Sequence, residues 1–369
     1  MDKAASPALV AALLLVAAAV EAQPAPPAPP AAPAPLAEEP PLAAEPARLA
    51  ARGLLIAIAS AGPRLVAVGD RGIIVLSDDR GASWRQADYV PAQALLTGVC
   101  FLDAQRGVAV GHDQVIVTTV DGGRNWKRTH YAPQAQGPLL DVWCGAGGEV
   151  IAVGAYSAYL TSDDGGASWR EMKFTPASAP AVGRDRARSP GATAAAGTAD
   201  DERAAGGYHL NRIVSGNAHR LYIAAEAGHL YASDDGGANW RTLASPYEGS
   251  FFGMLPLRGE ELLAFGLRGH LYRSTNGGAS WQPIETGTVA MLTGATPLDS
   301  GALAIVGLSG VVLVSRDGGR SFTLLQQAER AGLSAVAHAG DDRLVVVGEG
   351  GARLIRVTDT RATAGSASR

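Results

Sequence analysis

The chain has 369 residues, 47% of them hydrophobic, with 46 glycines, 22 prolines and a net charge of −4. That length allows more than one domain, and the mild acidity excludes the basic excess that nucleic-acid binding requires. Two cysteines are too few for a fold built on disulfides, so a hydrophobic core must hold it together.

Residues 1–22 read as a secretory signal. Lys3 supplies a weak positive start, Ala8 to Val20 form an apolar run, and Val20-Glu21-Ala22 resembles a small-residue cleavage site. The run is too short to span a bilayer comfortably, and a retained anchor is the alternative reading. Export to the periplasm or an equivalent lumen, free or at the membrane, is therefore expected. Residues 23–43 are almost wholly Ala, Pro and Glu, a composition that favours an extended polyproline spacer.

A short signature then recurs six times, Ser/Thr-x-Asp-x-Gly-x-x-Trp. Its copies are Ser77-Asp79-Gly81-Trp84, Thr119-Asp121-Gly123-Trp126, Ser162-Asp164-Gly166-Trp169, Ser233-Asp235-Gly237-Trp240, Ser274-Asn276-Gly278-Trp281 and Ser315-Asp317-Gly319-Phe322. The aromatic anchors are spaced by 42, 43, 71, 41 and 41 residues, and a period of about 40–45 residues with strand-like flanks is that of a β-propeller. Asp bonds the backbone of its own turn, Gly supplies positive φ, and the aromatic residue opens the next strand. These five acids and one amide (Asp79, Asp121, Asp164, Asp235, Asn276, Asp317) are therefore structural, an Asp-box hairpin at the blade edge and not a sugar site.

Between boxes the chain repeats four strand-like pieces, in the second unit 96–102, 107–110, 115–119 and 126–129. The first unit begins near Leu54, and a seventh, from Leu333, lacks a box and stops after three strands. The sequence thus predicts an all-β, seven-bladed propeller over 44–358 with a disordered tail at 359–369. Residues 44–52 are expected to supply the strand missing from the last blade, because an open blade leaves unpaired edges. The long fourth spacing comes from 176–207, rich in Ala, Gly, Arg and Asp without apolar periodicity, and reads as a disordered inter-blade insertion. Cys100 and Cys144 fall at equivalent points of consecutive blades; two buried free thiols are the plainer expectation, and a disulfide is the alternative.

In such a ring the turn between the second and third strands of each blade, and the connections between blades, face one side, and the Asp boxes face the other. One rim should therefore carry Asp70, Arg71, His112, Asp113, Tyr156, His209, Asn211, Glu226, Tyr247, Arg268 and Glu349. This mixed, aromatic-bearing polar surface suits a peptide or protein segment.

The unit Val-Gly-x-x-Gly-x-[Ile/Leu]-[Leu/Tyr]-x-Ser-x-Asp-Gly-Gly-x-[Ser/Thr]-Trp resembles the photosystem II stability/assembly factor family, most plainly in Gly228–Trp240 and Gly269–Trp281. The resemblance runs from Leu54 through Val357. It implies a non-catalytic, exported seven-bladed propeller that assists assembly of a membrane protein complex, with an Arg-lined surface holding the client. Here only Arg71 and Arg268 match that role, beside several acids. Ala109–Asp113, Pro246–Gly253 and Phe265–Ser274 look similar to the family's bacterial branch. That branch implies a periplasmic portion of an envelope exporter, or another envelope complex, as partner in place of a photosystem subunit, and the propeller itself is expected to be a monomer.

The competing reading is an Asp-box glycoside hydrolase or glycan-binding propeller of the sialidase type. That chemistry needs three arginines on a carboxylate and a Tyr–Glu nucleophile pair, or two facing carboxylates. Arg71 and Arg268 leave the triad one short, although Asp113 with Glu226 or Asp70 offers a carboxylate pair. No histidine spacing marks a metal site, and no nucleotide-cofactor fingerprint or Gly-x-Ser-x-Gly elbow is present. No catalytic residue, metal or cofactor is expected.

Overall fold

A computed structural model of the protein describes residues 41–178, 207–217 and 219–357. The signal segment, nearly all of the Ala/Pro-rich linker, most of the 176–207 insertion and the tail fall outside the described residues.

The second strand of each blade is an unbroken apolar run, such as Leu65-Val66-Ala67-Val68, and is buried along nearly its whole length. A strand with no solvent face must lie in the middle of a sheet, between a first strand and a third. Seven such sheets form. Blade 1 comprises Leu55–Ala61, Arg64–Gly69, Ile74–Ser77 and Arg85–Gln86, paired antiparallel in chain order. Five further blades repeat this order, with inner strands Leu96–Phe101, Leu139–Cys144, Leu210–Ser215, Phe251–Pro256 and Leu292–Pro297. Blade 7 has Leu333–His338, Arg343–Gly348 and Arg353–Arg356. Its inner strand packs beside that of blade 1 and closes the ring.

Apolar side chains fill seven clusters, one in each seam between neighbouring blades. The Asp boxes deliver an aromatic side chain into these seams. In the first box Ser77 Oγ donates to Asp79 Oδ1 at 2.8 Å and accepts from the Gly81 amide at 2.7 Å. Asp79 also accepts from the Ser83 amide and hydroxyl at 2.8 and 2.6 Å. Gly81 sits at φ +87°, where a Cβ would lie 2.2 Å from Val345 Cγ2, so only glycine lets the turn press against the neighbouring blade. Trp84 then folds back, its indole N–H donating to the Gly81 carbonyl at 3.2 Å. Asn276 makes the same turn, accepting from Ser274 Oγ at 3.0 Å and the Ser280 amide at 2.9 Å.

Polar side chains stitch inner strands together. At the bulge of the inner strand in blades 2, 4 and 6, Thr97, Asn211 and Thr293 donate to the carbonyls of Leu139, Phe251 and Leu333 in the next blade, at 2.7, 2.8 and 2.7 Å. Cys100 and Cys144 join blades 2 and 3 in a disulfide, with Cα atoms 5.7 Å apart. This corrects the expectation of free thiols: adjacent inner strands run close enough at that level for the bond to form.

Residues 44–52 do not form the expected fourth strand of blade 7. They run along blade 1, where the Ala44 amide donates to Val90 O at 2.8 Å and Gln86 bonds Ala47 N and Glu45 O. They end in a 3-10 turn, Ala50–Arg52, whose Ala51 carbonyl accepts from the Ala352 amide at 2.8 Å. The segment therefore takes the place of a connection between blades 7 and 1. Pro46 has no N–H to give a ladder, and the Gln86 side chain captures the backbone that a strand would need.

Candidate functional site

The turns between second and third strands are copies of one device. In blade 1 the Asp70 amide donates to Leu54 O at 3.1 Å, and the same bond recurs from His112, Ala155, Glu226, Leu267, Leu308 and Glu349 to the residue before each inner strand. The preceding glycine permits this approach: at Gly69 a Cβ would lie 2.0 Å from the Leu54 carbonyl. Blade 4 has Ala225 at this place and keeps the bond.

The third residue of six of these turns is left-handed without being glycine: Arg71, Asp113, Tyr156, Ala227, Arg268 and Ser309, with φ between 51° and 57°. That conformation costs about 1 kcal/mol for most side chains. Because it recurs blade after blade, it belongs to the turn and not to one reactive centre. Its effect is to aim a side chain at solvent whatever its chemistry, and Arg71 is 86% exposed.

Each turn also abuts the connection to the next blade. Gly72 N donates to Ala94 O, Ala132 N to Asp113 O, and Ser157 N to Tyr208 O. Turns and connections therefore form one rim, and the nominated residues divide on it. Arg71 pairs with Asp70 at 3.6 Å, and His112, Asp113 and Arg268 stand exposed. Tyr156 meets His209 edge-on with ring centroids 5.0 Å apart, and His209 Nδ1 lies 3.4 Å from Glu226 Oε2. These three residues come from the blade 3 turn, the following connection and the blade 4 turn, and make one contiguous patch. Asn211 and Glu349 are engaged internally, Asn211 in the stitch to blade 5 and Glu349 in accepting from the Gly332 amide at 2.8 Å.

Beside the patch lies a hollow of about 960 Å³ between blades 3 and 4, walled by Tyr156, Phe174, Tyr208, His229 and Tyr231. Tyr208 lies against His229 with ring centroids 3.9 Å apart and planes tilted by 35°, and burial holds the His229 pKa below its ordinary value, which favours the neutral ring. Tyr247 stacks on His270 at 4.2 Å, and His270 Nδ1 lies 3.0 Å from the Tyr272 hydroxyl. Tyr208, His229 and His270 were not among the residues nominated from sequence. The signal was the Gly-His-Leu-Tyr repeated at 228–231 and 269–272, in which the first residue ends the turn and the second faces the next connection.

The rim offers aromatic faces, two arginines and several acids over a wide surface. Asp70 faces Arg71 and Glu226 faces His209, so each of these acids has a cationic or ionisable nitrogen partner on the rim. Among the described residues no group of three or more His, Cys, Asp or Glu converges as metal ligands.

Residues 76–181, spanning the end of blade 1 through blade 3, match the family described as Photosynthesis system II assembly factor YCF48. The fold is similar to a solved structure described as YCF48 bound to D1 peptide, with a TM-score of 0.61 and 15% identity over 87% of this chain and 96% of that one. It is also similar to YCF48 from Cyanidioschyzon merolae, with a TM-score of 0.58 and 16% identity over 82% of this chain and 95% of that one. The WD40 propeller domain of Doa1 aligns with a TM-score of 0.58 and 12% identity over 82% of this chain and 92% of that one. No curated protein matches the sequence. The matched segment and the seven-bladed fold agree with the photosystem II assembly factor-like resemblance read from the repeats.

Proposed function

We propose that this protein is a non-catalytic, exported propeller that serves as an assembly or stability scaffold for a membrane protein complex. The match of residues 76–181 to the assembly-factor family is the observation that carries this reading, and the propeller fold supports it. A neighbour described as bound to a D1 peptide favours a client segment of photosystem type over the envelope exporter suggested by the bacterial-branch motifs. The client lies along the rim, its carboxylates paired by Arg71 and Arg268 and its apolar side chains against Tyr156 and the hollow beside it. Exposed aromatic and arginine side chains on a rigid frame are the usual anchors of such contacts.

The test is affinity capture of the tagged mature protein from crosslinked native membranes. Enrichment of a photosystem subunit or of a specific exporter is the expected result and selects the client. Arg71→Ala combined with Arg268→Ala should weaken capture at least tenfold, the scale of losing two charge-assisted contacts, with the melting temperature unchanged. Recovery of soluble glycan without a membrane protein would overturn the scaffold reading, and undiminished capture by the double variant would remove the arginines from it.

A further inference from the structure

Six of the seven seams hold an aromatic anchor delivered by an Asp box. Trp84 packs between blades 7 and 1, Trp126 between 1 and 2, and Trp169 between 2 and 3. Trp240, Trp281 and Phe322 occupy the next three seams. The seam between blades 6 and 7 contains only aliphatic residues among those described. It has a cavity of about 310 Å³ lined by Val314, Thr323, Leu325 and Val357, with Arg316 and Asp317 at its edge.

Register identifies what this space corresponds to. Val314 pairs with Ala304 and Thr323 in blade 6 as Leu76 pairs with Val66 and Arg85 in blade 1. Leu76, Val66 and Ala87 are the residues that receive Trp126. The cavity is thus the seat of a seventh anchor. The strand that would carry it is also missing: among the described residues Arg353–Arg356 pairs only with Arg343–Gly348, whereas the third strand of every other blade has a fourth beside it. Leu354 on that edge is 38% exposed.

We propose that this seam is a second docking site, where an extended segment of another polypeptide adds as the fourth strand of blade 7 and seats a Trp or Phe in the cavity. Strand addition satisfies edge backbone groups, and a pocket for an alternate side chain gives specificity. The other six blades show the required occupant, a short strand opening with an aromatic residue. Segments 1–40, 179–206 and 358–369 contain no Trp, Phe or Tyr, so none of them matches that occupant.

Charge narrows the partner further. The box position occupied by Asp78 in blade 1 is Asp163 in blade 3, Asp234 in blade 4 and Arg316 in blade 6. Asp78 is held below the ordinary carboxylate range first by its hydrogen bond from Arg64, and also by the charges of Arg85 and Arg124. Arg124 stands two residues before the anchor Trp126 in the neighbouring blade. With the sign reversed at the exposed Arg316, the matching segment carries Asp or Glu two residues before its aromatic side chain. The site lies on the Asp-box side, so it does not depend on the rim reading.

The test uses the full chain and a fluorescein-labelled nine-residue peptide with Asp-Ala-Trp at its centre, flanked by Thr and Val. Binding by anisotropy should weaken about tenfold or more when the peptide Trp becomes Ala, and saturation should slow amide exchange across Arg353–Arg356. Leu325→Phe, which fills the cavity, should abolish binding at undiminished thermal stability. Arg316→Glu should prefer Lys to Asp in the peptide, and the Arg71→Ala, Arg268→Ala variant should bind unchanged. Equal affinity for the Trp and Ala peptides, or no protection of Arg353–Arg356 at saturation, overturns the proposal. So does loss of that protection in peptide-free protein truncated after Val357, because the chain's own tail would then be the occupant.

Discussion

Replacing Trp240 with alanine probes how far the box aromatics act as structural anchors. Trp240 is 7% exposed, lies 6.3 Å edge-on from Tyr159 and 5.8 Å from Phe174, and donates to Gly237 O and Tyr159 Oη at 3.1 Å each. An indole buries about 150–250 Å², so at about 25 cal/mol per Å² the transfer contribution is about 4–6 kcal/mol. Partial collapse of the seam and water entering from its outer end reduce this, and large-to-small aromatic substitutions cost about 3–5 kcal/mol. In a domain of this size that corresponds to a fall in Tm of about 6–10 °C. Urea unfolding followed by far-UV circular dichroism measures it, with the slope of the transition checking that the denatured state is comparable. Trp240→Phe should cost less than half as much, since Phe322 serves the same purpose in blade 6. A loss below about 1 kcal/mol, or loss of client capture with stability intact, would refute the anchor argument and make Trp240 a binding residue.

Two further outcomes are expected. Cys100→Ser with Cys144→Ser opens a crosslink across 44 residues and should lower stability by about 3–4 kcal/mol in reversible urea unfolding; no change would mean that the seam alone holds blades 2 and 3 together. Hydrogen bonds from the Ser83 hydroxyl and amide and from Ser77 lower the Asp79 pKa from 3.8 to about 2. A carboxyl depressed in the folded state contributes stability above its unfolded pKa and loses it as pH falls through the folded value. Asp79→Asn, which can keep the turn as Asn276 does, should therefore flatten the acid limb of a stability–pH curve between pH 4 and 2, and parallel curves would contradict the assignment.

Much of the ring could be read in advance because its determinants are local. A box needs a Ser or Thr, an acid or amide, a glycine and an aromatic residue within eight positions, and each acts on its own turn. The second strands were legible for the same reason, as runs such as Leu262-Leu263-Ala264-Phe265 leave no solvent face. Turn chemistry also located the rim: Gly69, Gly111 and Gly154 mark where backbone must approach a carbonyl before an inner strand.

What escaped the sequence depends on distances between segments far apart in the chain. Asn211 looked like a rim residue, but its carboxamide reaches the Phe251 carbonyl, and Glu349 turns back to Gly332. The Tyr208–His229 ring contact joins a connection to the end of the next turn, so neither ring announces the other. The disulfide required the spacing of two inner strands, which aligned repeats suggest but do not measure. Residues 44–52 were expected to pair as a strand because a strand was lacking. The tertiary structure instead holds them on Gln86 and Ala352 and, among the described residues, leaves blade 7 without a fourth strand, because side-chain capture of their backbone competes with the sheet edge on which that strand would have formed.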